Sequence, residues 1–393
     1  MRSTTRPTRV AIAGLHGYGA VHIEQIARMG PSVRLVAVAD PLPPSPGSLP
    51  AATAVYTDLD VLLSSVPDID VVIIATPLDT HFDLAARALR AGADVYLEKP
   101  PVTSISDFDR LLDLERTSEG SIQVGFQGLG LHDSPAFLEA IEEIGEVTAI
   151  GAIGLWQRPD AYWNRSRWAG RRVLDGIDIV DGVVTNPFAH AIASALHLAG
   201  VRDRTEIARI DVDLYRANPI ESDDTSVVRI RTAHGVTITG AFTLCAADPV
   251  EPVLEVMGSA GSLRFHYTAD RIERSDGTIT RLERRSLLEN LIAHRGDRRI
   301  DLLSPLRASA PFMAVLDRIR SAAAPMPIPR EFLSRLDETT TIVTDIAGWI
   351  ALAVAEHATF AELGAPWTEN PADAPSRERP AFAATADQLR GAL

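Results

Sequence analysis

Cysteine is almost absent from this chain: Cys245 is the only one in 393 residues, so no intrachain disulfide can form. Stability must come from a core, and a chain of this length can bury a large one. A lone thiol fits a reducing compartment, and the cytoplasm is expected. Long apolar runs are missing too. A membrane span needs about 18 consecutive apolar residues, and the nearest approach, residues 346–355, has only the length of a core helix. The N-terminus is basic, but the apolar run at 10–15 is too short for a secretion signal and breaks at His16. Positive charge is scarce: 38 Lys and Arg face 52 Asp and Glu, a formal net charge of −14. Such a surface repels phosphate backbones, so neither nucleic acid nor membrane is an expected partner. The richest basic stretch, residues 295–299 with Asp297 inside it, reads as a solvated loop. The histidines are scattered and no pair has metal-ligand spacing, so no metal site is expected.

What is present suggests two to three domains at about 150 residues each. Between residues 9 and 125, short β-branched apolar runs (10–13, 35–39, 71–75, 95–97, 123–126) alternate with helix-period stretches (22–29, 58–65, 82–91, 105–116). Runs apolar on both faces suit parallel strands covered by helices. Residues 1–130 are therefore expected to form an α/β domain, a Rossmann-type doubly wound parallel sheet. Beyond residue 147 the runs lengthen (147–156, 207–215, 226–232, 236–243, 253–257, 262–266), with turns such as Ala233-His234-Gly235. Residues 131–365 are expected to form an α+β domain, an open, mostly antiparallel sheet with a helix near 189–199. Further helices are expected at 311–323 and 329–356, the last packing back on the first domain. Residues 366–393 read as an extended tail. An open antiparallel sheet needs cover, so a homo-oligomer, dimer or tetramer, is expected.

The first strand runs directly into Gly14-Leu15-His16-Gly17-Tyr18-Gly19, and a helix follows. Strand, glycine-rich turn and helix form the setting of the dinucleotide fingerprint G-x-G-x-x-G. Gly14 and Gly19 hold its first and third positions; His16 stands at the second, with Gly17 after it. Gly14 permits the tight turn and Gly19 lets helix and strand approach. The helix N-terminus offers N–H groups and partial positive charge to a pyrophosphate. The His16 side chain is expected to point away from the phosphates, leaving the backbone of His16, Gly17 and Tyr18 to contact them. The competing reading is a glycine-rich turn without a ligand. Asp40 ends the second strand, where a carboxylate accepts from both ribose hydroxyls of NAD and repels the 2′-phosphate of NADP. Pro41-Leu42-Pro43-Pro44 brings no cation for that phosphate. The expected cofactor is NAD rather than NADP.

Ala75-Thr76-Pro77, His81 and Glu98-Lys99-Pro100 follow. With the glycine turn and Asp40 they resemble the Gfo/Idh/MocA family of sugar and polyol oxidoreductases, strongly over the first domain. The likeness continues more loosely through Val124-Gly125-Phe126-Gln127, Asp223-Asp224-Thr225 and Gly258-Ser259-Ala260-Gly261. The resemblance implies that Ala75, Thr76, Pro77, His81, Glu98, Lys99 and Gln127 join the cofactor site. It also implies that Lys99 reaches the substrate hydroxyl beside the nicotinamide, and that the Lys–Pro bond is often cis. A Lys suits that place: its ammonium stabilises alkoxide character, and burial that lowers its pKa lets it exchange the proton. A surface Lys paired with Glu98 is the competing reading. The family's second catalytic element is Asp-x-x-x-His. Here Thr185-Asn186-Pro187-Phe188-Ala189-His190 keeps the His and places Asn186 where the Asp would be. Residues four apart share a helix face, so Asn186 and His190 can point at one site. An amide orients a hydroxyl but takes no proton, which leaves that task to His190, Lys99 or both.

Trp156, Arg158, Tyr162, Arg165 and Trp168-Ala169-Gly170-Arg171 concentrate rings and guanidinium groups in a chain with five Trp. Aromatic faces stack on sugar C–H surfaces, and Arg forks bind hydroxyls, carboxylates or phosphates. This loop is expected to be a substrate lid, with Trp156, Tyr162, Arg165, Trp168 and Arg171 as contacts; a plain packing segment at an oligomer interface is the competing reading. The resemblance implies an NAD-dependent dehydrogenase acting on a secondary hydroxyl of a sugar, inositol or glycoside. The alternatives are an enzyme that retains NAD and uses a transient oxidation for elimination, hydrolysis or epimerisation, and a non-catalytic dinucleotide-binding regulator.

Overall fold

A computed structural model describes residues 6–368. They form two compact units: one runs to Gly130 and includes Arg285–Ser309, and the other holds Leu131–Arg284 and the described residues from Ala310 on.

The first unit is built on six parallel strands, β1 (Thr8–Ala13), β2 (Val33–Ala39), β3 (Ala54–Tyr56), β4 (Val71–Ile74), β5 (Asp94–Leu97) and β6 (Ile122–Val124). Their order is β3-β2-β1-β4-β5-β6. Val, Ile and Ala fill both faces of β1 and β4, and Val95, Tyr96 and Leu97 those of β5, which is what a sheet covered on both sides requires. The connecting helices are α1 (Tyr18–Arg28), α2 (Leu59–Ser65), α3 (His81–Arg90) and α4 (Ile105–Thr117). Asp58 and Ser104 start α2 and α4 by accepting from free N–H groups of the first turn. This is the doubly wound α/β architecture. The strand order reverses between β1 and β4, and the loops leaving those strands open at their carboxyl ends.

A late segment completes this unit. Helix α8 (Leu287–Gly296; α5–α7 precede it in the second unit) puts Leu287, Leu288 and Leu291 into the core with Val10, Ile12 and Tyr96. Buried Gln123 of β6 donates to the Leu287 carbonyl (2.8 Å) and to Asn290 Oδ1 (2.7 Å), and accepts from the Ser304 N–H (2.9 Å). Arg295 and Arg298 reach the fully buried Asp94 carboxylate at 3.0 and 2.9 Å, and Arg295 also reaches Asp70 at 3.1 Å. The basic stretch at 295–299, read from sequence as a solvated loop, is thus a clasp. Two carboxylates at strand starts are withdrawn from water, and such charges persist only when paired.

The second unit holds a nine-stranded sheet. Its strands are β7 (Val147–Gln157), β10 (Ile207–Arg216), β11 (Thr225–Thr232), β12 (Thr237–Thr243), β13 (Cys245–Gly258), β14 (Ser262–His266), β15 (Arg271–Arg274), β16 (Ile279–Arg281) and β17 (Met326–Pro327). The order is β16-β15-β14-β13-β7-β12-β11-β10-β17. The pairs are antiparallel except β7–β12 and β10–β17. Helices α5 (Pro135–Ile144), α7 (Ala189–Leu198) and α9 (Ala310–Arg320) accompany it. The loop after β7 carries a short helix α6 (Asp160–Trp163) and a hairpin of β8 (Val173–Leu174) and β9 (Ile177–Asp178). That hairpin turns on Asp175-Gly176, both at positive φ.

Residues 329–356 depart from the expected single helix. A 3-10 turn (Arg330–Phe332) leads into a hairpin of β18 (Leu333–Arg335) and β19 (Thr341–Val343), and α10 (Ile346–Ala355) is the α-helical part. Asp337 accepts from the Thr339 N–H at 2.7 Å, a side-chain turn, and the β-branched run through Val343 favours extended backbone. Helix α10 packs on β7, β12 and β13 of its own unit, whereas the sequence suggested the first domain. Trp349, Ile350 and Ala353 join Ile153, Tyr215, Val227 and Ala241 in one core, so the all-apolar helix lies over the middle strands of the sheet. Trp367 is buried in the same core. The tail expected from residue 366 is therefore anchored at its start, and residues 369–393 lie outside the described residues.

Candidate functional site

In the first unit the segments leaving β1, β2, β4 and β5 lie at the carboxyl ends of the strands. Gly14 has φ +87°, and a Cβ there would sit 2.5 Å from the Ala75 carbonyl oxygen; one on Gly19 would sit 1.9 Å from that of Gly14. Close backbone approach demands both glycines. Around Gly17 nothing lies within 4 Å of such an atom, so the turn is open there. No side chain caps α1 and its first turn holds no acid, which keeps its N–H groups and positive end for an anion. The half-exposed His16 ring turns toward Asp40, its Nε2 4.0 Å from Oδ1. Asp40 accepts from the Leu15 N–H at 2.7 Å and the Leu42 N–H at 2.8 Å, one on each oxygen. Each oxygen keeps further acceptor capacity for a ribose hydroxyl. These residues fit a dinucleotide.

Lys99 follows β5 and is partly exposed, between buried Glu98 and buried Pro100; the Lys99–Pro100 bond is cis. Glu98 Oε1 accepts from His22 Nε2 at 2.8 Å, and Oε2 accepts from the Lys99 N–H at 3.3 Å. Gly125 packs on this carboxylate, where a Cβ would come within 3.0 Å. His22, on α1, also meets the edge of Tyr96 at 4.8 Å, and the Tyr96 hydroxyl bonds to Gln127. His81 is buried between two loops, with Nδ1 3.1 Å from the Pro100 carbonyl and Nε2 3.1 Å from that of Thr76. Burial outweighs both carbonyls and holds its pKa below the usual value. Each ring nitrogen faces a backbone carbonyl and the neutral ring donates to one of the two, so His81 sits between the segments carrying Thr76 and Lys99.

In the second unit Phe188 precedes α7 and fills the space over Gly154, where a Cβ would lie 2.2 Å from its ring. It packs between Trp156 (4.6 Å) and Phe242 (4.8 Å). His190 stands in the first turn of α7, its ring 6.4 Å from that of Tyr267. Asn186 lies in the turn before the helix, which begins at Ala189. Its Nδ2 donates to Asp181 Oδ1 at 2.7 Å. Asp181 Oδ2 accepts from the Gly170 N–H (2.8 Å) and from Arg165 (3.2 Å). The Arg165 guanidinium lies 3.8 Å from the Tyr162 ring and 4.6 Å from that of Trp168. Arg158 lies 4.6 Å from the Trp156 ring and 5.2 Å from that of Tyr162. Four of the five expected loop contacts thus stack into one ladder that reaches Asn186 through Asp181, while the Arg171 side chain pairs with Glu221. Sequence reasoning missed Asp181, His22 and the Gly154–Phe188 contact. Only the nearness of Asp181 to Asn186 in the chain could have signalled the first.

Among the described residues no three His, Cys, Asp or Glu side chains gather as a metal would need, and no helix is long and apolar enough to cross a membrane.

Residues 8–126 match the family model described as an oxidoreductase family with an NAD-binding Rossmann fold, and residues 139–264 match the GFO/IDH/MocA C-terminal domain. An inositol 2-dehydrogenase of Rhizobium meliloti is 26% identical over 259 residues, 65% of this chain and 74% of the relative. A myo-inositol 2-dehydrogenase of Thermotoga maritima is 23% identical over 279 residues, 69% of this chain and 78% of the relative. The crystal structure of the WlbA dehydrogenase from Bordetella pertussis, in complex with NADH and UDP-GlcNAcA, shares the fold with a TM-score of 0.64 at 22% identity, over 80% of this chain and 95% of that one.

Proposed function

Because the chain belongs to the GFO/IDH/MocA oxidoreductases, whose first domain is an NAD-binding Rossmann fold, we propose that it oxidises a secondary hydroxyl of a sugar, inositol or glycoside with NAD. The observation that carries this reading is the placing of the 14–19 turn, Asp40 and Lys99 at the carboxyl ends of one parallel sheet, beside its switch in strand order. The relatives' names supply the substrate class: two are inositol dehydrogenases, and the structural neighbour holds a nucleotide sugar.

Bound NAD would supply the acceptor for the hydride that leaves the carbinol carbon. The chain supplies the rest. Backbone N–H groups of His16, Gly17 and Tyr18 hold the pyrophosphate, and Asp40 accepts from the ribose hydroxyls. Ala75, Thr76, Pro77 and Gln127 complete the cofactor site, while His81 and Glu98 brace it. The Lys99 ammonium stabilises negative charge on the hydroxyl oxygen as its proton leaves, and His190 takes or relays that proton. Asn186 orients the hydroxyl. Trp168, stacked by Arg165 alone among the described residues, offers its other face to the C–H surface of a cyclic polyol, and Trp156 and Tyr162 back it in the same ladder. Arg165, bonded to Asp181, and Arg171, bonded to Glu221, hold that loop in shape. The single buried thiol supports a cytoplasmic place. A homo-oligomer, dimer or tetramer, would form on the part of the sheet that α10 leaves open.

The test is incubation with NAD and, separately, myo-inositol, scyllo-inositol, UDP-N-acetylglucosamine and its uronate, following the absorbance of reduced nicotinamide. Absorbance should rise with one of them, and turnover should fall about hundredfold or more in Lys99→Ala and in His190→Ala. Conversion of substrate without net NADH would favour the cofactor-retaining alternative. Parental turnover in both variants would sink the assignment.

A further inference from the structure

An asparagine side chain has two ends of similar size and opposite polarity, an oxygen that accepts and a nitrogen that donates. Which end meets a substrate hydroxyl decides what the residue can do, and its neighbours decide which end is presented. An ionised carboxylate only accepts, so at 2.7 Å from Asp181 the Asn186 side chain must offer its nitrogen there. Its oxygen is then its acceptor end. The Asp181 side chain is 3% exposed, and its other oxygen is held by Gly170 and Arg165. Buried charge is met by donors rather than by water, so the carboxylate cannot easily turn away. The backbone reinforces this placement. Val180 has φ 50°, a left-handed conformation that a β-branched residue avoids. Its carbonyl accepts from the Gly182 N–H and from Thr185 Oγ1, which holds the turn in which Asp181 is buried.

We propose that Asp181 is a positioning residue for the reaction. It sets the polarity of the Asn186 amide, so that the oxygen accepts from the substrate hydroxyl, and it ties that amide to the ring-and-arginine loop through Arg165. The inference rests on the role given to Asn186 above.

An exchange of the two side chains tests it. Asp181→Asn sets two NH2 groups face to face and forces the Asn186 amide to turn over. Asn186→Asp sets two carboxylates together, which cannot both stay ionised. The double variant restores one donor facing one carboxylate: the new amide at 181 keeps its oxygen for Gly170 and Arg165, and its nitrogen donates to the new carboxylate at 186. Each single variant should lose kcat roughly ten- to hundredfold, the worth of one charge-assisted hydrogen bond, with KM for NAD unchanged. Asn186→Asp should also shift the pH profile of kcat upward. The double variant should recover to within about threefold of the parent, the non-additivity that marks a direct pair. Parental kcat in Asp181→Asn would overturn the proposal. So would a double variant no faster than the slower single one while it unfolds at the parental temperature. Parental kcat in Asn186→Ala would instead remove the role of Asn186 itself.

Discussion

In the proposed reading Asp40 does two jobs with one carboxylate. It holds the glycine turn by accepting from Leu15 and Leu42, and it faces the place where ribose hydroxyls are expected. The two jobs separate on substitution. Asp40→Ser should weaken NAD binding roughly tenfold or more, because a charged acceptor is lost. NADP should bind better relative to NAD, because repulsion of its extra phosphate goes with the charge. Calorimetric titration with both cofactors checks this; an equal loss for both would leave Asp40 only its part in holding the turn. The places of Asp40 and Lys99 were legible in the sequence because each follows a buried strand, and strand ends mark the ligand edge of a parallel sheet, while the role of Lys99 came from the resemblance carried by Glu98-Lys99-Pro100. Asp181 was not. Its partners come from a loop with no periodicity, and its burial depends on a single left-handed residue, Val180. His22 was hidden for another reason: a histidine on an amphipathic helix gives no sign of the strand-end carboxylate it will meet.

Helix α7 begins where Phe188 closes over Gly154, and this contact sets where Asn186 and His190 stand. Phe188 is held between Trp156 and Phe242 and cannot give way. Gly154→Ala should therefore cost about 1–3 kcal/mol of stability, as overpacking of a filled core does, and lower kcat several-fold. NAD affinity should stay unchanged, since Gly154 belongs to the second unit. Denaturant unfolding with cofactor titration checks both; a fall in NAD affinity would contradict the local reading. Elements with a strong period, such as β1, β4, α3, α4, β11 and α7, were legible from pattern alone. Short ones were not. β3 is three residues long with Val55 half exposed, and β15 and β16 are strands of four and three residues that carry Arg and Thr. The hairpin of β18 and β19 was absorbed into a helix because apolar spacing in so short a segment does not separate the two periods.

Across the molecule, individual buried titratable groups respond to acid with opposite signs. His132 is buried in the second unit, stacked on Phe137 at 4.9 Å and edge-on to His197 at 4.7 Å. Burial, then the charges of His197 and Arg202, holds its pKa well below the usual value, and burial brings His197 to about 4. The unfolded chain takes up protons below about pH 6.5 that these native rings refuse. Their contribution to stability is therefore complete above that pH and is lost as pH falls toward about 4. Glu115 in the first unit has the other sign. Burial lifts its pKa to about 7 against the bond from the Ile122 N–H. Its contribution is complete below the unfolded value and is lost as pH rises through about 7. His132→Phe, which keeps the ring stack, should raise the unfolding temperature more near pH 5 than near pH 8, and Glu115→Gln more near pH 8 than near pH 5. Equal shifts at both pH values would show that titration is not the cause. The clasp of residues 285–309 also has a consequence in time. During synthesis the six strands of the first unit leave the ribosome long before Ser304 and Arg298, which lie 181 and 204 residues beyond their partners Gln123 and Asp94. Until those residues emerge, the edge of β6 and the Asp94 carboxylate wait uncovered. The dinucleotide-binding half of this protein, although it is translated first, can finish folding only after nearly all of the second unit's sheet has been made.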